Sequence, residues 1–363
     1  MNIHSKLMIK SICLFICLLF INNGGFSQDS TSLKLPFKMK SKYDSARVEF
    51  NNFEKKHGGF IKTKNIRMHY LEWGNPKNTP LIWIHGSFTN SYELLNVAES
   101  LIKTGYYLIA IDYYGHGLTK IPKDEVSLYH VADDIKEIME VKKIKKAVIG
   151  GWSRGGIIAT AFYDAYPEKV LGLILEDGGS VSTNTHYHKL STNELENKVK
   201  GIFKDRISYS THNSEYEAYK SYYDYSYGST QFELLAWLTM DDNGKWSIGT
   251  GVEKLFNMSD ENEFLDNILR PTKANLFGES MSIIEPKIVY RNLKIPMLIL
   301  DPISEQDIFP YESENKQLKN QHPTLITHKI YENTGHNIHS EKPKEFVEDL
   351  RIFLKTVRSK PQK

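Results

Sequence analysis

The 363-residue chain predicts an α/β fold: a mostly parallel sheet flanked by helices, interrupted by a mainly helical insertion. Three observations lead there. Short apolar runs of strand length alternate with amphipathic stretches of helix length from about residue 60 to residue 180, the order expected of a parallel sheet with helical crossovers. Between Gly179 and Lys287 that rhythm stops, tyrosine-rich helix-like stretches take its place, and the alternation then resumes. Finally, a serine stands in the glycine-flanked turn Gly151, Trp152, Ser153, Arg154, Gly155, directly between a strand-like run and a helix-like one.

The N-terminus reads as an address. Lys6 and Lys10 precede the apolar run Ile12 to Ile21, followed by polar Asn22 and Asn23 and the small-residue exit Gly25, Phe26, Ser27. The run is shorter than the roughly 18 residues a membrane span requires, so a secretory signal peptide over 1–27 is expected, with no stable membrane anchor after cleavage and a periplasmic or secreted mature chain. Cys13 and Cys17 both lie inside this segment, so the mature chain would hold no thiol for an oxidising compartment to pair. Cleavage removes two lysines and no acid, which takes 46 basic residues to 44 against 44 acidic ones. A formally neutral chain without basic clusters lacks the electrostatic footprint of a nucleic-acid binder.

Residues 28–59 are expected as a polar N-terminal extension, 60–180 as the first part of the core, 181–287 as the insertion and 288–363 as the second part of the core. In order, Ile61 to Trp73 is strand-like with Ile66, Met68 and Tyr70 on one face, and a turn at Gly74, Asn75, Pro76 leads to the buried strand Leu81 to Ile84. Helix-like Tyr92 to Lys103, strand Tyr107 to Ile111, helix Val126 to Met139, the strand ending at Ile149, helix Arg154 to Tyr166 and strand Val170 to Leu175 follow. Within the insertion, Asn193 to Phe203, Glu215 to Tyr227 and Gln231 to Met240 read as helices. Strand Pro296 to Leu300, helix Tyr311 to Lys319, strand Leu325 to Tyr331 and the amphipathic helix Pro343 to Val357 complete the pattern.

A serine hydroxyl is a poor nucleophile unless a base removes its proton and a carboxylate orients that base. The chain supplies both later. His336, between a strand and a helix and beside Gly335, is the expected base in preference to His339, which lies nearer Pro343 and the start of the helix. Three carboxylates follow the strand Pro296 to Leu300: Asp301, Glu305 and Asp307. Asp307 is the first choice, because by then the chain has left the strand and can reach sideways. Acyl transfer also needs amide donors for a developing oxyanion. The motif assigns one to Arg154, and the loop His85, Gly86, Ser87, Phe88 offers the other at Ser87, with Phe88 next.

The stretches PLIWIHGS, AIDYYGHGLT, VIGGWSRGG, PMLILDPISEQDIFP and ENTGHNIHSEKP together resemble the α/β-hydrolase superfamily over most of the chain outside the signal segment and the insertion. The resemblance implies a nucleophile at Ser153, an acid at Asp307, a base at His336, a lid inserted after the sixth core strand, and a turn shaped by Asp112, Gly115 and Gly117. Two departures from the family's common form stand out. The acid loop is longer, with Asp301 where a histidine and glycine often begin it, and Arg154 replaces the usual methionine, leucine or glutamine after the nucleophile. That guanidinium is read either as a ligand for a substrate carboxylate or as the partner of an acid on its own helix.

The expectation is a serine hydrolase acting on carboxylic esters of small molecules without a cofactor or metal. Phe88, Trp152, Tyr219, Tyr223 and Trp237 are the expected pocket residues, Tyr216 sharing the helical face of Tyr219 and Tyr223. The pair His186 and His188 lacks the companion ligands of a metal site. The rival readings are an aminopeptidase of the proline-iminopeptidase type, with Glu194, Glu215 or Glu233 holding a free amino terminus, and a binding protein that keeps the fold without turnover.

Overall fold

The computed structural model describes residues 35–204, 210–223, 231–305, 307 and 309–359; the expected signal segment and both cysteines lie outside them. Chain order is α1 (Leu35–His57), β1 (Gly58–Lys62), β2 (Arg67–Trp73), β3 (Thr79–Ile84), α2 (Leu95–Thr104), β4 (Tyr106–Ile111), α3 (Leu128–Val141), β5 (Ala147–Trp152), α4 (Arg154–Ala165) and β6 (Val170–Glu176). The insertion follows as α5 (Thr192–Lys204), α6 (Glu215–Tyr222), α7 (Phe232–Trp237), the ribbon β7 (Leu238–Met240) with β8 (Trp246–Ile248), α8 (Val252–Leu255), α9 (Glu261–Leu269), α10 (Leu276–Ile283) and α11 (Pro286–Val289). Then come β9 (Met297–Ile303), α12 (Glu312–Gln321), β10 (Ile326–Glu332), α13 (Ile338–Glu341) and α14 (Pro343–Ser359).

The main sheet has the order β1-β2-β4-β3-β5-β6-β9-β10, antiparallel at β1/β2 and β2/β4 and parallel in the other pairs. Every residue of β4 is buried, and so are the first five residues of β5, which accounts for unbroken apolar runs without alternation. Moving from β3 to β4 the chain steps one way along the sheet, and from β4 past β3 to β5 it steps back. Because right-handed crossovers in opposite directions lie on opposite faces, α2 covers one face and α3 with α4 the other. Helix α14 packs on α2 and buries the stripe Phe346, Leu350, Phe353, Leu354 and Val357. Reversal of direction leaves a crevice beyond the C-terminal ends of β3 and β5, where an open α/β sheet binds ligands.

Four local expectations change. The segment Ile61 to Trp73 is not one strand but the β1/β2 hairpin, and β2 buries His69, Leu71 and Trp73 as well as Met68, since both of its faces are covered. The expected extension carries the 23-residue helix α1, whose Ala46 and Phe50 are buried. Helix-like Gln231 to Met240 stops at Trp237, and Leu238–Met240 pairs with Trp246–Ile248 instead. Helix α6 ends at Tyr222, and the rest of the expected Glu215 to Tyr227 helix beyond Tyr223 lies outside the described residues.

Candidate active site

Ser153 joins β5 to α4 with φ 53° and ψ −120°, a combination that costs a residue with a side chain of order 1–3 kcal/mol and recurs at functional sites. The surroundings enforce it. Its amide donates to the Glu176 carbonyl at 2.8 Å, which ties the turn to the end of β6. A Cβ on Gly155 would stand 2.0 Å from the Ile84 carbonyl oxygen and one on Gly151 2.3 Å from the Gly155 carbonyl carbon, so only glycines admit so close an approach of β3, β5 and α4. The side chain retains some exposure at the N-terminus of a twelve-residue helix, whose first amides favour negative charge.

His336 lies in the loop between β10 and α13. Its backbone carbonyl accepts from Trp152 Nε1 at 2.6 Å, its ring stands 5.1 Å from that of Trp152, and Thr334 N donates to the Ile303 carbonyl to hold the loop on β9. The histidine is therefore fastened to the residue preceding Ser153. Its Nδ1 is hydrogen-bonded to Asp177 Oδ2, leaving Nε2 as the ring nitrogen available to a reacting group. The carboxylate bonded to His336 is thus Asp177, at the end of β6, and not Asp307.

Asp307 instead accepts from the Phe309 amide at 2.9 Å and closes its own turn, while Asp301 pairs with His328 at 2.6 Å and accepts from Asn315 at 3.0 Å. Asp177 reaches the imidazole because β6 and β9 are neighbours: its amide donates to the Leu300 carbonyl, and its left-handed backbone, φ 43°, turns the side chain off the strand line. Burial pushes its carboxyl up to about 6 against the opposing pull of His336, and the charges of Asp307 and Asp301 add to the rise. Asp307 is raised as well, first by burial.

The second histidine, His339, makes a parallel contact one step along the strand. Its Nδ1 lies 2.9 Å from Glu176 Oε2, its amide donates to Oε1, and its ring is wholly buried against Trp152, Trp83 and Phe346. Glu176 and Asp177 thus bind the two histidines of one loop. Burial opposes charge on His339, but Glu176, Glu93 and Glu233 together outweigh it and raise the imidazole above its ordinary range.

Beyond β3, the loop His85 to Asn90 is built on neutral histidines. His85 Nδ1 donates to the Gly86 carbonyl at 2.7 Å and Nε2 accepts from the Tyr113 amide; burial pushes it down to about 4. In the same manner His116 donates from Nδ1 to the Tyr114 carbonyl and accepts at Nε2 from the Phe88 amide, and burial holds it well below the usual histidine range. Phe88, in the left-handed region, therefore has its N–H engaged. Asp112 accepts from the Ser91 and Leu118 amides and pairs with His69, so it shapes the turn.

The Arg154 side chain folds across this loop: Nε donates to Ser87 Oγ at 2.8 Å and the guanidinium lies 3.5 Å from the Phe256 ring centre. Asp164, the acid on helix α4, accepts from Tyr129. Among the expected pocket residues, Phe88 and Trp237 meet at 6.5 Å, with Phe256 against Phe88, and Trp152 lies beside His336. Tyr219 and Tyr223 pack on each other and on Tyr43 and Lys42 of helix α1. The acids named for an amino terminus are also engaged: Glu194 caps Ser191, Glu215 pairs with Arg47, and Glu233 accepts from Thr89 at 2.6 Å. His188 bonds to the Ile268 carbonyl and His186 to Lys198.

A serine at a strained strand-to-helix turn beside the switch point of a mostly parallel eight-stranded sheet, with a carboxylate-bound histidine fastened to the residue before it, fits the α/β-hydrolase class. Residues 79–343 match the family model described as alpha/beta hydrolase fold, and the chain belongs to that family. Among curated proteins it is similar to epoxide hydrolase 1 of Caenorhabditis elegans, 31% identical over 32% of this chain and 29% of that one. A serine hydrolase-like protein of Danio rerio is 32% identical over 38% of this chain and 40% of its own length. The bifunctional esterase/perhydrolase DCH of Acinetobacter calcoaceticus is 30% identical over 30% and 40%. The chain thus spans well under half the length of these relatives. In fold it is similar to a membrane phospholipase A described as a bacterial virulence factor, with TM-score 0.59 and 20% identity over 90% of this chain and 94% of that one. A thermophilic esterase from Thermogutta terrifontis superposes with TM-score 0.54 and 18% identity over 82% and 99%.

Proposed function

We propose that this protein hydrolyses carboxylic esters of small molecules through an acyl-enzyme at Ser153, with His336 as base and Asp177 as the acid that orients it. The observation that carries the reading is the Asp177 contact at His336 Nδ1, which fixes the tautomer with Nε2 unprotonated. His336 Nε2 takes the Ser153 proton as Oγ attacks the ester carbonyl. The resulting imidazolium is stabilised by Asp177 and returns the proton to the departing alkoxide, releasing an alcohol. Water, deprotonated by the same nitrogen, then attacks the acyl-enzyme and frees the acid.

For the oxyanion we assign the amides of Arg154 and Ser87. Engagement of the Phe88 amide by His116 supports Ser87 over its neighbour. Serine chemistry also speaks against epoxide opening: attack by Oγ on an epoxide carbon would leave an ether, which has no hydrolytic exit, whereas a carboxylate nucleophile would leave an ester. Phe88, Trp152 and Trp237 would supply the apolar walls of the pocket.

The test is hydrolysis of p-nitrophenyl butyrate together with labelling by a fluorophosphonate probe. Turnover and labelling that both vanish in Ser153→Ala are expected; labelling without ester turnover, or turnover that survives the substitution, would overturn the proposal. We further propose export directed by residues 1–27, which N-terminal sequencing of the mature chain near Ser27 would test.

A further inference from the structure

Resting on the acyl-transfer reading above, we propose that the Arg154 side chain is a positioning residue that sets the Ser87 oxyanion donor. The two donors belong to different loops, one after β3 and one after β5; the strand ends are packed closely at Gly155, but Ser87 lies beyond that contact. Arg154 spans that gap. Its own amide lies at the first turn of α4, while its Nε, 2.8 Å from Ser87 Oγ, holds the residue that carries the other amide. One residue thereby supplies a donor and braces its counterpart.

The brace is itself held from two sides. Phe256, at the end of α8 in the insertion, lies flat under the guanidinium at 3.5 Å, and Met258 Sδ is 3.9 Å from Nη2. Phe256 also packs on Phe88 and on His116, the histidine that takes the Phe88 amide. On the opposite side, Tyr113 donates to the Gly86 carbonyl at 3.0 Å, fixing the residue before Ser87. The planar guanidinium, buried and stacked, offers Nε in one direction only, which a lysine ammonium on a flexible stem does not reproduce.

Removing the brace leaves both backbone donors in the chain but loosens the Ser87 end of the pair, so the loss falls on the transition state. Arg154→Met, Arg154→Lys and Ser87→Ala are each expected to lower kcat for p-nitrophenyl butyrate about tenfold to a hundredfold, less than deletion of a donor, with KM changed by less than about twofold. The double variant Arg154→Met, Ser87→Ala should be no slower than the slower single variant, because both cut the Arg154–Ser87 contact and only Ser87→Ala also gives up the hydroxyl contact with Tyr113. Affinity for an alkyl boronic acid, which forms a tetrahedral adduct with serine, should weaken in step with kcat. Thermal melts accompany each variant, and should Arg154→Met not fold, Ser87→Ala, which deletes one oxygen, decides alone. Unchanged kcat in Ser87→Ala, losses that multiply in the double variant, or boronate affinity that stays constant while kcat falls would overturn the proposal. Absence of ester turnover in the parent protein would instead sink the acyl-transfer reading.

Discussion

Replacing Asp177 by asparagine separates the triad built here from the one expected at Asp307. The change keeps volume and shape at a side chain 2% exposed, so packing around it is preserved. What changes is the hydrogen-bond sense at His336 Nδ1. An asparagine amide turned toward the ring donates to Nδ1, which moves the imidazole proton to Nε2 and leaves no base for Ser153; turned the other way, it keeps the tautomer and loses the charge that stabilises the imidazolium. The first case lowers kcat by about 10⁴, or about 5 kcal/mol of barrier. Asp307→Asn should change kcat by less than about threefold, since Asp307 closes its own turn through Phe309. Stability moves the other way. The Asp177 carboxyl is raised from its ordinary value to about 6, so its ionised form is disfavoured in the folded state, and it subtracts stability as pH rises from about 3.8 through 6. Asp177→Asn is therefore expected to hold or raise the melting temperature at pH 7 while abolishing turnover. Steady-state kinetics from pH 5 to 9 on both variants, with melts, form the assay. A wild-type acid limb near pH 6 that neither substitution moves, or a collapse of activity in Asp307→Asn with Asp177→Asn spared, would refute the assignment.

Three further outcomes follow from geometry and charge. Gly155→Ala places a Cβ 2.0 Å from the Ile84 carbonyl oxygen and 2.6 Å from that of His85, a clash with backbone, and should cost about 3 kcal/mol or more in denaturant unfolding, or prevent folding. His69, buried between Asp112 and Glu54, is raised to about 9: burial opposes its charge, but the two carboxylates outweigh that. Its stabilisation is complete below pH 6.5 and is lost as pH climbs through 9, about 3 kcal/mol in all, a slope that His69→Gln should flatten in urea melts at pH 6, 7.5 and 9. Phe346→Ala empties a fully buried ring site between α14 and Trp83 and should destabilise by about 3–5 kcal/mol with kcat unchanged in the folded fraction.

Much of the sheet was legible because buried parallel strands leave a signature that needs no partner to be read. Leu81 to Ile84, Tyr107 to Ile111 and Val170 to Leu175 are apolar throughout and fall inside β3, β4 and β6. The β1/β2 hairpin was read as one strand because Thr63 to Ile66 holds no glycine or proline to announce a turn; it is closed by Thr63 through both its amide and its hydroxyl to the Ile66 carbonyl. Helix α1 was hidden by its charge. Yet Tyr43, Ala46, Phe50 and Phe53 recur at spacings of three and four, and these are the residues that meet Tyr219, Tyr92 and Phe232. Reading that stripe would have placed a helix against Tyr219.

At the site, local motifs were readable and the one tertiary choice was not. The Ser153 turn is set by short-range constraints, glycines that permit close backbone approach between strand and helix. The acid answers to a different rule: it must lie at the C-terminal end of a strand close to the loop that follows β10, and the ends of the neighbouring strands β6 and β9 both offer carboxylates there. Sequence order favours neither. What separates them is the carboxylate's local cost: Asp307 satisfies itself with the Phe309 amide, whereas Asp177, with a strained backbone and a carboxyl raised by burial, relies on the His336 contact to hold that rise down. The signal within the sequence was the pair Glu176, Asp177 closing an apolar strand ahead of two glycines, since adjacent acids at the end of a buried strand demand partners, and a loop with two histidines three residues apart, His336 and His339, supplies them.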